Sequence, residues 1–150
     1  MTVFVQTDDF DVGVQLNQLR LANPNTGALV SFVGQVRDIN DGDVINTLTL
    51  EHYPGMTETA LQAIEAEAKS RWDIMDSLII HRVGTLEPLD QIVLVAVVSA
   101  HRGEAFKSCE FIMDYLKTQA PFWKKEATTQ GERWVEAKLS DDLALKQWQK

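Results

Sequence analysis

Gln91-Ile-Val-Leu-Val-Ala-Val-Val-Ser-Ala100 constrains the fold of this chain more than any other stretch, because eight of its ten residues are apolar and none is charged. The strict alternation of a strand with one wet face is missing. A short β-branched apolar run behind a turn-rich segment, here Gly84-Thr-Leu-Glu-Pro-Leu-Asp90, reads as a strand covered on both faces. The rest of the chain must therefore supply a sheet around this strand and material to cover each side of it.

The flanking sequence supplies both. Residues 3–6 predict a short first strand, and Val12, Leu16 and Leu19 predict a helix over about 11–20. Asn23-Pro-Asn-Thr-Gly27 is a turn cluster. Residues 28–36 and 44–53 read as strands, and Asp38-Ile-Asn-Asp-Gly-Asp43 between them carries an Asp-Gly turn pair. The two strands are expected to form a hairpin with a polar tip. Pro54-Gly55 stops the second strand, and Thr57 is expected to cap a helix over 58–72 with Leu61, Ile64, Ala68 and Trp72 as its buried stripe.

A strand over 74–83 precedes the apolar run, and a helix over 103–118 follows it, burying Ala105, Cys109, Ile112, Met113 and Leu116. Pro121 prevents that helix from continuing. Short strands are expected over 122–126 and 133–138 around the turn Thr128-Thr-Gln-Gly-Glu132, and a last amphipathic helix over 141–148. Hairpins and helices interleave, which predicts one α+β domain over residues 1–150 with mixed and antiparallel sheets.

Charge narrows the function. The formal net charge is −8, from 14 Lys+Arg against 22 Asp+Glu. An acidic chain is a poor general ligand for nucleic acid, whose phosphates reward cations spread over a whole face. Yet residues 101–138 hold seven of the fourteen cations against six acids, so this segment is +1 and the remainder −9. A local cationic pocket in an acidic body suits a small anionic substrate. No apolar run approaches the roughly 18 residues that cross a bilayer. The first residues lack the basic start and apolar stretch of a signal peptide, so a cytoplasmic location is the expectation. Cys109 is the only cysteine, reads as a core thiol, and leaves no disulfide. With three scattered histidines, no metal site is expected. No Walker loop, dinucleotide fingerprint or serine elbow is present.

The densest chemical signal is Tyr115-Leu-Lys-Thr-Gln-Ala-Pro-Phe-Trp-Lys-Lys-Glu126. Lys117, Lys124 and Lys125 surround a helix-breaking proline and two large aromatics, Phe122 and Trp123. Such a cluster can hold an anion or lower one lysine's pKa by mutual repulsion, and it can equally be a solvated helix end. Arg37 closes a strand, where it could pair with Asp38 or present a fork to an anion. His101-Arg102 stands before a helix N-terminus, a natural place for phosphate, although an imidazole packed at a strand end is the plainer reading. His52 and His81 lie in strand patterns without partners at ligand spacing. The cations of Arg133-Trp-Val-Glu-Ala-Lys138 belong to an ordinary edge strand or to the same pocket.

In order along the chain, Ser31-Phe-Val-Gly-Gln-Val-Arg37, Leu48-Thr-Leu-Glu-His-Tyr-Pro-Gly-Met56, His81-Arg-Val-Gly84, Ser99-Ala-His-Arg102, Phe111-Ile-Met-Asp-Tyr-Leu-Lys-Thr118, Ala120-Pro-Phe-Trp-Lys-Lys-Glu126 and Arg133-Trp-Val-Glu-Ala137 resemble the catalytic, large subunit of molybdopterin synthase. The resemblance implies an α/β-hammerhead domain and a central homodimer. Each subunit is implied to bind a small ubiquitin-like sulfur carrier, making a heterotetramer. The carrier's C-terminal Gly-Gly thiocarboxylate is implied to deliver sulfur to cyclic pyranopterin monophosphate, forming the dithiolene of molybdopterin without metal or bound cofactor. It also implies Lys117 as the catalytic lysine with Lys124 as companion. Arg37, His101 and Arg102 would contact the pterin or its phosphate, with Gln35 and Val36 beside them and Phe32 in the pocket wall. Lys125 and Glu126 would lie in the binding loop. His101 and Arg102 are expected to reach the neighbouring subunit's site. Lys138 stands where the family often has arginine and lacks the bidentate fork. Two further readings stay open: a non-catalytic module for a ubiquitin-like tail, and a stand-alone anion-binding protein.

Overall fold

A computed structural model describes residues 2–135 and 139–149. The elements are β1 (Thr2–Gln6), α1 (Val12–Ala22), β2 (Ala28–Gln35), β3 (Ile39–Asn40), β4 (Asp43–His52), α2 (Met56–Arg71) and β5 (Asp76–Arg82). They continue with β6 (Gly84–Leu86), β7 (Gln91–Ser99), α3 (Arg102–Gln119), β8 (Phe122–Thr128), β9 (Gly131–Val135) and α4 (Leu139–Lys146). The α+β architecture expected from the interleaved pattern is the one observed.

The apolar run is the inner strand β7 of a sheet ordered β1-β5-β7-β2, in which β1 and β5 are parallel and the other pairs antiparallel. Its two faces enter different cores. Val93, Val95 and Val97 pack with α2 and α3 residues, among them Leu61, Ile64, Cys109 and Ile112. Leu94, Ala96 and Val98 pack with Phe10 and Leu19 on the side of α1. Successive side chains on a strand point to opposite faces, so a strand between two helical layers must be apolar at every position. Cys109 lies in the first of these cores, where burial pushes its thiol up to about 12. It is inert there, as read.

The second sheet runs β3-β4-β8-β9, with the three-residue β6 also paired to β4. It corrects the expected hairpin. β2 pairs with β7 and not with β4, which belongs to the other sheet. The Asp-Gly pair does form a tight turn, with Asp41 at φ 52° and Gly42 at φ 80°, but it joins β4 to the two-residue β3. Val36 is held by the β6–β7 connection, donating to the Asp90 carbonyl at 2.9 Å and accepting from Leu89 N–H at 2.8 Å. The segment after it carries the chain from one sheet to the other. β6 was hidden inside the turn-rich stretch, since three residues show no periodicity.

Helix α2 also begins earlier than expected. Gly55, at φ 85°, precedes it, and the Glu58 carboxylate accepts from Gly55 N–H at 2.7 Å. Thr57 lies inside the first turn and donates its hydroxyl back to Tyr53 O at 2.8 Å. Among the described residues, no helix is long and apolar enough to cross a membrane.

One buried group departs from the apolar stripe. Glu65 of α2 is 2% exposed and accepts a hydrogen bond from the Ser77 hydroxyl of β5. Burial pushes its pKa up to about 7, against the lowering effect of that hydrogen bond. Unfolded glutamate titrates near 4.5. Across the interval between these values the folded chain keeps a proton that the unfolded chain releases, so stability falls as pH rises through it and levels off above about 7. Glu65→Gln should therefore be more stable than the parent by up to roughly 3 kcal/mol above that interval, with the gap closing towards about pH 4. Urea midpoints at both ends of the range check this, and parallel pH profiles would refute it.

Candidate active site

The junction of α3 and β8 builds the site. Lys117 lies in the last turn of α3, which stops at Gln119. Pro121 lacks the N–H that another turn would need and biases the residue before it towards extended backbone. Ala120 accordingly sits at φ −78°, ψ 138°, and its carbonyl accepts from Phe122 N–H at 2.9 Å. The chain enters β8 with no intervening loop, so the helix end and the new strand face one space.

Strand alternation then sorts the cluster of cations. Phe122, Lys124 and Glu126 point to one side and line a cavity of about 490 Å³ together with Lys117. Phe32, Gln35, Val36 and Arg37, at the end of β2 and just beyond it, line the same cavity. α4 adds Ser140 and Asp141 to its wall. Lys125 points to the opposite face, 3.4 Å from Glu132 and with its ammonium 5.5 Å from the Trp134 ring centroid. The two-residue period of the strand thus places Lys125 outside this cavity.

Glu126 is the polar keystone of this space. It is only 5% exposed, and both carboxylate oxygens are occupied. Asn40 donates from Nδ2 to Oε2 at 2.8 Å, and Arg133 donates from Nε to Oε1 at 3.1 Å. Asn40 in turn accepts from Arg37 Nη2 at 2.8 Å, which aims that guanidinium along the cavity wall. Arg133 also reaches Asp43 at 2.6 Å and the Asn40 carbonyl at 2.9 Å. Glu126 therefore holds the frame of the site, and Arg133 is spent on carboxylates. Asn40 and Asp43 were missed, and no spacing in the sequence could have flagged them.

His81, set aside on sequence grounds, is also in the wall. It is 3% exposed, and its ring stacks on Phe122 with centroids 3.8 Å apart. Burial, and then the charges of Lys124 and Lys117, push its pKa down to about 3, against a hydrogen bond to the Arg82 carbonyl. It is neutral at any working pH. Its neighbour in the pattern, His52, contacts Thr57 at 3.3 Å. Among the described residues, no group of three or more His, Cys, Asp or Glu could hold a metal ion.

His101 and Arg102 are not part of this cavity. Both are exposed at the N-terminal end of α3. At about 1.5 Å per residue, the helix separates Arg102 from Lys117 by roughly 22 Å. Lys138 lies outside the described residues.

Set against known proteins, this architecture has a clear match. A family model described as MoaE protein covers residues 5–119. The chain belongs to the MoaE family. It is 60% identical over 147 residues to the molybdopterin synthase catalytic subunit of Ralstonia nicotianae, covering 98% of this chain and 84% of that one. Among solved structures, the molybdopterin biosynthesis MoaE protein from Burkholderia ambifaria MC40-6 aligns at TM-score 0.84 and 59% identity, covering 98% of this chain and 97% of the other. The molybdopterin synthase crystal structure from Staphylococcus aureus aligns at TM-score 0.81 and 32% identity, covering 89% and 96%.

Within this MoaE-type frame, Asn40 joins Arg37 to Glu126, and a buried carboxylate that loses a donor keeps its desolvation cost. Asn40→Leu should lower stability by about 1–3 kcal/mol. A denaturant midpoint indistinguishable from the parent's would show that the bridge contributes nothing.

Proposed function

We propose that this chain is the catalytic subunit of a molybdopterin synthase. It moves sulfur from the C-terminal thiocarboxylate of a small ubiquitin-like carrier to cyclic pyranopterin monophosphate, and two such transfers build the dithiolene of molybdopterin. The observation that carries the reading is the convergence of Arg37, Lys117 and Lys124 on one cavity from distant parts of the chain. Both reactants are anions and repel each other in water. Fixed cations in a partly dry cavity offset that repulsion without reorganising during the reaction.

Arg37 binds the phosphate and stabilises charge as the cyclic ester opens. Lys117, carried on the rim by a rigid helix, is the general acid or charge stabiliser at the attacked pterin carbon, with Lys124 facing the same space. The thiocarboxylate is already nucleophilic, so positioning is the main task of the protein. Its sulfur bonds to the pterin carbon as a carbon–oxygen bond at that carbon breaks. The oxygen leaves with the opened phosphate ester in one transfer and as water, protonated by the general acid, in the other. The carrier stays attached through an acyl–sulfur bond. Water then cleaves that bond, the carrier departs as a carboxylate, and the sulfur stays on the pterin. The compartment is the cytoplasm.

His101 and Arg102 act in the cavity of a second copy in a homodimer, which reconciles their chemistry with their distance from Lys117. The arrangement has a direct consequence for mixed dimers. Lys117→Ala and Arg102→Ala chains should each be defective alone, and re-paired at random they should recover about a quarter of the wild-type sites. Recovery absent from a verified mixed dimer would remove the shared-site assignment.

Single variants test the cavity itself, read as dithiolene product formed from thiocarboxylated carrier and cyclic pyranopterin monophosphate. Lys117→Ala should lose at least about tenfold in turnover, roughly 1.4 kcal/mol of barrier, while binding carrier normally. Lys125→Ala, on the outer face, should stay within about twofold of the parent. Equal losses in the two variants would mean that the cavity is not the reaction site.

A further inference from the structure

The lysines and the arginine of the cavity can only donate hydrogen bonds. A reduced pterin, however, carries ring N–H and amino groups that need acceptors once they leave water. His81 meets that need. The geometry points to His81 Nε2 as the neutral acceptor that takes a hydrogen bond from an N–H of the pterin heterocycle, an inference that rests on the synthase reading of the same cavity.

The tautomer follows from one contact. His81 Nδ1 lies 2.8 Å from the Arg82 carbonyl, which can only accept, so Nδ1 carries the proton and Nε2 the lone pair. Among the described residues no buried side-chain nitrogen or oxygen lacks a partner. Nε2 makes no such bond itself, and His81 lines the cavity, so this nitrogen meets the cavity space. Phe122 clamps the ring at an interplanar angle of 15° and fixes the direction of the lone pair.

The surroundings hold it in this state. Lys124 on β8, Lys117 on α3 and His52 on β4 all oppose a positive charge on the ring. Glu126 on β8 and Asp141 on α4 are acids of the same cavity, but Glu126 already accepts from Asn40 and Arg133. Arg82 turns away, donating to the carbonyls of Thr7 and Gln91. A ring that stays neutral takes no proton in turnover, but it accepts a hydrogen bond throughout. An uncharged lone pair repels the phosphate and accepts an N–H. The cavity thus has a cationic side for the phosphate and an accepting patch, His81 on Phe122, for the heterocycle.

His81→Phe keeps a ring against Phe122 and removes the acceptor. The KM for cyclic pyranopterin monophosphate should rise about tenfold while carrier affinity stays within about twofold. His81→Gln, whose amide oxygen reaches the place of Nε2, should recover most of the loss. A purely structural role would not separate these variants, so an unchanged KM in His81→Phe, or no recovery in His81→Gln, overturns the inference. Nitrogen NMR of the wild-type protein is independent of how the variants fold. The Nε2 resonance should report an unprotonated nitrogen from about pH 5 to 8 and should move when cyclic pyranopterin monophosphate is added without carrier. A protonated Nε2, or a resonance indifferent to saturating pterin, overturns it. If the wild-type chain with carrier and pterin forms no dithiolene, the synthase reading falls and this inference with it. If it does, an indifferent His81 sinks this inference alone.

Discussion

Everything in the site is arranged around a carboxylate that must not be left alone. Glu126 is buried on the inner face of β8, where an unpaired charge would cost several kcal/mol. Its two oxygens draw Asn40 from β3 and Arg133 from β9, and Asn40 passes the constraint to Arg37. One buried acid thereby ties the short β3 turn, the outer strand β9 and the segment after β2 to a single frame. The Arg37 guanidinium is thus aimed along the cavity wall, through Asn40, by a carboxylate whose two oxygens are already occupied.

The second constraint is geometric. An 18-residue helix and a strand meet at Pro121 with no loop between them, and both ends of the join carry lysine. A helix is a stiff lever, and a strand alternates strictly, so the join settles which ammonium faces the cavity. Lys117 and Lys124 do so, and Lys125 does not. A longer connection would let the two lysines drift apart by several ångströms. Here the scaffold elements carry them, which suits groups that must hold position while charge moves.

The electrostatic plan is local. A chain of net charge −8 concentrates Arg37, Lys117 and Lys124 around a cavity of about 490 Å³. Among the described residues, Glu126 and Asp141 are the acids that line that space. Burial beneath these cations also explains His81, whose neutrality is imposed by its position.

Much of this was legible in the amino-acid order. The apolar run 91–100, the stripes of α2 and α3, the helix stop at Pro121 and the core thiol Cys109 follow from periodicity and backbone chemistry, which act over a few residues. So did the candidates Arg37, Lys117 and Lys124, as residue types at element ends. What lay beyond reach was every decision made by contact between distant segments. The expected pairing of β2 with β4 failed because strand partners are chosen by which faces two helical layers leave uncovered, and β7 claimed β2. Asn40 and His81 were unremarkable letters until the fold buried one against Glu126 and the other against Phe122. The sequence by itself determined the elements, their buried faces and the cationic chemistry, because those depend on local periodicity and charge. Only the tertiary structure decided which side chains share the cavity, because burial and hydrogen bonding between remote segments do not exist until the chain has folded.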